Sequence, residues 1–229
     1  MAFAIIAAGG RGTRLGDPAP KFELPLAGKP VISYSLEAFQ SAPSIESIVL
    51  VVPADRLDAW SAERLQKMGI DKIRASVRGG ETRQDSVRLG LEQLRGETGV
   101  VVVHDAARPL VSVQMVEEAC LIPDGSDGVV TATMVTDTVK CVDGGMVAGT
   151  PDRERLVAVQ TPQAFRLDVL AKAHSLAREA GYQGTDDASL VERAGGRVSV
   201  VVGSRDNIKI TFPEDFAIAD ALLRERRDP

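Results

Sequence analysis

At 229 residues, 44% of them hydrophobic and 26% charged, the chain has the size and balance of one globular domain rather than two full ones. A net charge of −5 argues against a nucleic-acid partner, so an anionic ligand must be held by a local cluster of Lys and Arg. Two cysteines, Cys120 and Cys141, make neither a disulfide framework nor a zinc quartet, and no apolar run approaches the roughly 20 residues of a membrane span.

The first residues run directly into an apolar strand without a basic leader, which reads as a cytoplasmic protein. Short apolar runs over residues 3–7, 48–52, 73–77, 100–103, 129–133 and 198–202 read as strands. Several are unbroken Val/Ile runs, as expected of strands buried on both faces of a parallel sheet. Between them, Pro30 pre-sets the first turn of a helix through Ser33, Leu36 and Phe39. Residues 54–68 place Leu57, Trp60 and Met68 at roughly helical spacing, and residues 81–94 put Val87, Leu91 and Leu94 on one face. Helices over 166–180, with His174 as a partly buried structural residue, and over 185–194 follow. Pro213 opens a last helix with Phe216, Ala219, Leu222 and Leu223 turned inward. The alternation predicts a three-layer, doubly wound α/β fold with a mostly parallel sheet and right-handed crossovers, in one domain over 1–229.

Residues 134–155 break this rhythm. Val135, Val139, Val142 and Val147 stand amid Gly144-Gly145, Gly149 and Pro151, the signal of a hairpin between two short β runs. An isolated hairpin is marginal in water. A small β-hairpin arm is therefore expected to project from the domain and to find a partner surface, which makes a homodimer through the arm the natural expectation.

The strongest chemical signal is Ala7-Ala8-Gly9-Gly10-Arg11-Gly12-Thr13-Arg14, followed by Pro20-Lys21. It comes directly after the first strand, and ligands in open α/β sheets sit at the carboxyl ends of strands. Glycines let consecutive backbone N–H groups approach a phosphate chain, and Arg11, Arg14 and Lys21 add positive charge. Together they describe a cradle for a triphosphate. A dinucleotide fingerprint starting at Gly10 would need glycine where Leu15 stands. A P-loop ending at Gly28-Lys29 would need glycine and Ser or Thr where Glu23 and Pro30 stand.

The loop resembles that of the nucleotidyltransferases that activate sugars and polyols, with the pattern A-G-G-x-G-T-R-L…P-K. Further along, Gly79-Gly80-Glu81-Thr82-Arg83-Gln84-Asp85-Ser86-Val87 and His104-Asp105-Ala106-Ala107-Arg108-Pro109 are similar to the cytidylyltransferase branch of that family. So are Thr136-Asp137-Thr138-Val139-Lys140, Thr161-Pro162-Gln163-Ala164-Phe165, Thr185-Asp186-Asp187-Ala188-Ser189 and Asp206-Asn207-Ile208-Lys209, in the family's order and over nearly the whole chain. The resemblance implies the Rossmann-like nucleotidyltransferase fold. It also implies transfer of CMP from CTP to a small polyol phosphate: 2-C-methyl-D-erythritol 4-phosphate first, ribitol 5-phosphate as the alternative. The loop has one residue more between Gly9 and its arginine than the branch usually has, closer to the sugar-1-phosphate branch. Arg14 is the first choice for that arginine, and Arg11 stays open.

Asp105 ends an apolar run, where a carboxylate meets the active edge. Mg²⁺ takes one or two carboxylates plus phosphate oxygens and waters, so Asp105, with Asp206 as a weaker second ligand, fits a magnesium site. Arg108 can pair bidentately with an acceptor phosphate, and Lys209 can place a point charge at the α-phosphate. The catalytic set is then Arg14, Lys21 and Lys209. Ala7, Ala8, Gly9, Gly10 and Gly12 would cradle CTP, and the resemblance implies that Gly80, Glu81 and Ser86 line its cytidine pocket. It further implies that Asp105, Arg108, Thr138, Arg153, Thr161 and Thr185 bind the acceptor, with Arg153 reaching across from a neighbouring subunit. A sugar-1-phosphate nucleotidyltransferase and a nucleotide-binding module without chemistry are the competing readings.

Overall fold

Unbroken runs of Val and Ile have no polar face to turn to water, so they collect in the middle of the molecule. In this computed structural model, whose described residues are 1–8 and 20–227, they form the centre of a seven-stranded sheet. The elements in chain order are β1 (Ala2–Ala7), β2 (Pro25–Leu26), β3 (Lys29–Pro30), α1 (Val31–Ser41), β4 (Ile45–Val52), α2 (Ala62–Lys67), β5 (Ile73–Arg78), α3 (Arg83–Glu92) and β6 (Val100–Asp105). Then come α4 (Val113–Cys120), β7 (Gly128–Met134), β8 (Cys141–Asp143), β9 (Met146–Gly149), β10 (Val157–Arg166), α5 (Leu167–Glu179), α6 (Asp187–Arg193), β11 (Val198–Val202) and α7 (Glu214–Arg227).

The sheet order is β11-β7-β10-β6-β1-β4-β5, parallel throughout except for β10, which runs antiparallel to both β6 and β7. Alternate residues of each central strand face opposite layers. Ile6, Leu50 and Val102 pack with Leu36 and Phe39 of α1, Leu65 of α2 and Val116 of α4. Ile5, Val51 and Val103 pack with Leu91 of α3, Leu170 of α5 and Val191 of α6 on the other side. The three-layer, doubly wound architecture expected from the sequence is present.

Three differences have local causes. Residues 54–68 are not one helix: a 3-10 turn at Ala54–Arg56 follows Pro53, and α2 starts only at Ala62. Between them Trp60 is turned inward, its indole N–H donating to Glu23 at 2.8 Å and its ring edge-on to Phe22. β10 was not foreseen, because it carries Gln160, Thr161, Pro162 and Gln163 instead of a continuous apolar run. Nor was α4, a short helix capped by Ser112, whose hydroxyl accepts from the Met115 N–H at 3.1 Å.

The hairpin arm is present as β8 and β9, joined by Gly144 and Gly145 at φ of 53° and 83°. Two consecutive positive φ values define the tight turn that matches strand twist, and glycine reaches them without a Cβ penalty. Among the described residues no helix is long and apolar enough to cross a membrane. Cys120 and Cys141 are free thiols; burial, reinforced by Glu117, pushes the Cys120 thiol up to about 11.

Candidate active site

The sheet register brings three chain segments to one edge. Ala7 at the end of β1 sits opposite Asp105 at the end of β6. The Ala106 N–H donates to Ala7 O at 3.0 Å, the Ala8 N–H to Val51 O at 2.8 Å, and the Gly79 N–H to Val52 O at 2.8 Å. The chain at Ala8, the Gly79-Gly80 segment and the Asp105 turn thus leave the sheet side by side. Gly9, Gly10, Gly12, Arg11 and Arg14 lie outside the described residues. Lys21 opens a 3-10 turn, Lys21–Glu23, which Phe22 anchors in the core.

Asp105 is the centre of the site. Its Oδ1 accepts from Arg83 Nε at 2.8 Å and its Oδ2 from Lys209 Nζ at 2.6 Å. Burial alone would raise this carboxyl; Arg83 and then Lys209 outweigh it and hold the group ionised, well below the usual carboxylate range. Arg83 continues to a second carboxylate, with NH1 donating to Asp187 Oδ2 at 2.7 Å, and Asp187 Oδ1 meets His174 Nε2 at 3.0 Å. Burial disfavours the guanidinium charge, and Asp187 and Asp105 overcome that and raise its pKa. Asp187 is lowered the same way: burial opposes, Arg83 and His174 prevail. Charges this deep persist because each has a hydrogen-bonded counter-charge.

Beneath Asp105, Thr161 Oγ1 accepts the Asp105 backbone N–H and lies 3.0 Å from His104 Nδ1. His104 Nε2 lies 3.2 Å from the Arg108 carbonyl, an acceptor only, so Nε2 carries the ring proton and Nδ1 accepts from the threonine hydroxyl. Burial pushes His104 down to about 4, so it is neutral at pH 7 and serves as structure. Arg108 is half-buried, and burial lowers its pKa despite Asp105; its NH1 donates to Asn207 O at 2.8 Å. Asn207 is fully buried, its amide donating to Thr161 O and Gln160 Oε1, and Ile210 N–H donates to Ala107 O. These contacts lay the 207–210 segment against the Asp105 turn and so deliver Lys209 to it.

The base-recognition segment is equally constrained. The Gly80 N–H donates to Ser86 Oγ at 3.1 Å, and Ser86 donates to Thr82 O. A Cβ on Gly80 would come within 2.3 Å of the Asp85 Cβ, so only glycine closes this turn. Thr82 and Asp85 form a reciprocal cap that starts α3, which begins two residues later than Glu81, itself exposed.

The acceptor residues expected from the sequence divide. Asp105, Arg108 and Thr161 come together. Thr138 is exposed beside the arm, and Arg153 stands on the 3-10 turn Arg153–Arg155, its NH1 donating to Thr136 O at 2.7 Å. At the arm's root a cavity of about 340 Å³ is lined by Thr133, Thr136, Asp137, Gln160 and Arg205 among others. Thr185 is exposed, two residues before the buried Asp187. Asp206 lies 3.8 Å from Arg226 of α7. Among the described residues no group of three or more His, Cys, Asp and Glu could hold a metal by itself. Asp105 fits a different arrangement: ionised, with one lone pair left on each oxygen, it can add one ligand to a Mg²⁺ that arrives on a nucleotide's phosphates. Arg83, Asp187 and Asn207 were missed as site residues. Arg83 and Asp187 stand in two of the matched motifs, but nothing in the sequence pairs them.

A doubly wound α/β sheet that brings Asp105, Arg83 and Lys209 together beside the strand that leads into a glycine-rich loop fits a nucleotidyltransferase. The chain belongs to the 2-C-methyl-D-erythritol 4-phosphate cytidylyltransferase (IspD) family, whose model matches residues 2–225. It is 40% identical over 227 residues to the protein of that name from Geobacter metallireducens, covering 98% of each chain. It is 44% identical over 230 residues to that from Rubrobacter xylanophilus, covering 99% of this chain and 97% of the other. It is similar to the crystal structure of 4-diphosphocytidyl-2C-methyl-D-erythritol synthase from Anaerococcus prevotii, with TM-score 0.86, 31% identity, and 97% and 96% of the two chains covered.

Proposed function

We infer that this protein transfers the cytidylyl group of CTP to 2-C-methyl-D-erythritol 4-phosphate, releasing pyrophosphate and forming 4-diphosphocytidyl-2-C-methyl-D-erythritol, in the cytoplasmic phase of isoprenoid biosynthesis. The observation that carries this reading is the pair of cations, Lys209 and Arg83, on the ionised Asp105 at the sheet edge of a chain from this family.

The acceptor phosphate is already an anion, so no general base is needed; its oxygen attacks the α-phosphorus and pyrophosphate leaves in line. Catalysis is then positioning and neutralisation of charge on the phosphoryl oxygens. Lys21 and Arg14 neutralise the triphosphate, with the backbone of Ala7, Ala8, Gly9, Gly10 and Gly12 around it. Gly80, Glu81 and Ser86 frame the cytosine. Lys209 acts at the α-phosphate, and Asp105 sets where its ammonium stands. Arg108 and Thr185 hold the acceptor, and Thr161 has only acceptor capacity to spare because its proton points at His104. The cavity at the arm root, whose lining includes Asp137 and Ile208 next to Thr138 and Lys209, supports a site for the polyol there. Asp105, with Asp206 as a weaker second ligand, would hold a Mg²⁺ that arrives with the nucleotide, and the ion would supply Lewis-acid charge neutralisation there. The functional unit is a homodimer through the arm, with Arg153 reaching the neighbouring site.

The test is pyrophosphate release from CTP and Mg²⁺ with 2-C-methyl-D-erythritol 4-phosphate, in parallel with ribitol 5-phosphate, and with glucose 1-phosphate plus UTP. The first acceptor is expected to exceed the others by about tenfold or more, the scale set by site groups left unpaired by a wrong substrate. Equal or greater release with either alternative would overturn the assignment.

A further inference from the structure

We propose that Gln84, together with Arg83 on the first turn of α3, is a positioning residue for the acceptor: the pair fixes the 182–187 segment, and with it Thr185, against the cytidine pocket. This rests on the reading of Thr185 as an acceptor contact.

The geometry is a two-point grip. Gln84 Nε2 donates to Tyr182 O at 3.1 Å, and Gln84 Oε1 accepts from the Gly184 N–H at 2.9 Å. One side-chain amide therefore satisfies both a carbonyl and an N–H of the same loop, from about a hundred residues away in sequence. Arg83 holds the far side of Thr185 through Asp187, and it ties that carboxylate to Asp105. Gln163 Nε2 adds a bond to Asp186 Oδ2 at 2.9 Å. Thr185 is thus flanked by tethered residues while it stays exposed itself. A loop whose neighbours are fixed and whose hydroxyl is open is pre-organised to bind.

The anchor of the grip matters as much as its reach. The same helical turn carries the Thr82–Asp85 cap and the Ser86 hydroxyl that holds Gly80. Gln84 therefore measures the distance from the cytidine segment to the acceptor segment. The α5–α6 connection needs no such brace to fold: Asp186 and Ser189 already cap α6, and the Arg193 guanidinium covers the Tyr182 ring at 4.2 Å. A merely structural Gln84 would affect both substrates alike; a positioning Gln84 affects the acceptor.

The experiment compares Gln84→Met, which keeps length and loses both bonds, with Gln84→Glu, which keeps the acceptor for Gly184. In Gln84→Met the KM for 2-C-methyl-D-erythritol 4-phosphate is expected to rise about tenfold, the scale of losing two neutral hydrogen bonds, with the KM for CTP within about twofold. Gln84→Glu recovers part of the loss. Combined with Thr185→Val, Gln84→Met adds little to the acceptor KM, because both act through one contact. An unchanged acceptor KM, an equal rise for both substrates or an additive double variant would overturn the proposal. Should the parent protein not turn over this acceptor at all, the reaction assignment fails and not the brace. Hydrogen exchange at the Gly184 amide then reads the brace directly: faster exchange in Gln84→Met is expected, and unchanged protection overturns it.

Discussion

Asp105 meets a guanidinium through one oxygen and an ammonium through the other, while Thr161 holds its backbone from below. The histidine beside it answers a different need. His104 is fully buried, and burial pushes its imidazole from an ordinary 6.5 down to about 4, against the weaker pull of Asp105. The unfolded chain takes up this proton near pH 6.5 and the folded chain only near 4, so the unfolded state binds more protons between the two. Stability is therefore lost as pH falls through that window, by on the order of 3 kcal/mol. Urea unfolding at pH 7 and pH 4.5 should show this loss in the wild type and a smaller one in His104→Asn; parallel losses would contradict it. Asp105 and Asp187, both held below the carboxylate range, add their losses only below about pH 4. At this scale Asp105, Arg108 and Lys209 could be singled out as candidates because each is a charged residue standing in a motif of its own. Arg83 and Asp187 were not, because their pairing spans 104 residues and no local pattern records it.

At the scale of elements, local chemistry that repeats was readable and local chemistry that depends on neighbours was not. Gly144-Gly145 announced its hairpin because two positive φ values demand that residue type. β10 stayed hidden, since its register breaks between Val159 and Gln163, and at that break the Gln160 amide donates to Ser204 O while Asn207 and Thr131 side chains donate to the Thr161 and Pro162 carbonyls. The arm itself exposes Val142 at 63% and Met146 at 75%, apolar surface that a free hairpin would leave in water. If a second copy covers it, Val142→Glu with Met146→Glu should convert a dimer to a monomer in light scattering. Turnover should also fall, because Arg153 would no longer reach a neighbouring site. A variant that remains dimeric, or a monomeric wild type at micromolar concentration, would refute the arm as the interface.

For the whole molecule, the unbroken apolar runs were enough to anticipate a doubly wound sheet, and the sheet does the rest. Its register puts Ala7, Gly79 and Asp105 at one edge, and the returning 207–210 segment brings Lys209 to the same place. The glycine loop that should complete the site is legible in sequence, but its Gly9, Gly10, Gly12 and Arg14 lie outside the described residues. The direct test of the account follows the phosphorus atoms. With CTP labelled at the α-phosphorus and 2-C-methyl-D-erythritol 4-phosphate as acceptor, the label should appear wholly in the polyol diphosphate product, and pyrophosphate should be unlabelled. Label in pyrophosphate, or labelled CMP released with the acceptor unchanged, would contradict attack on the α-phosphorus by the acceptor phosphate.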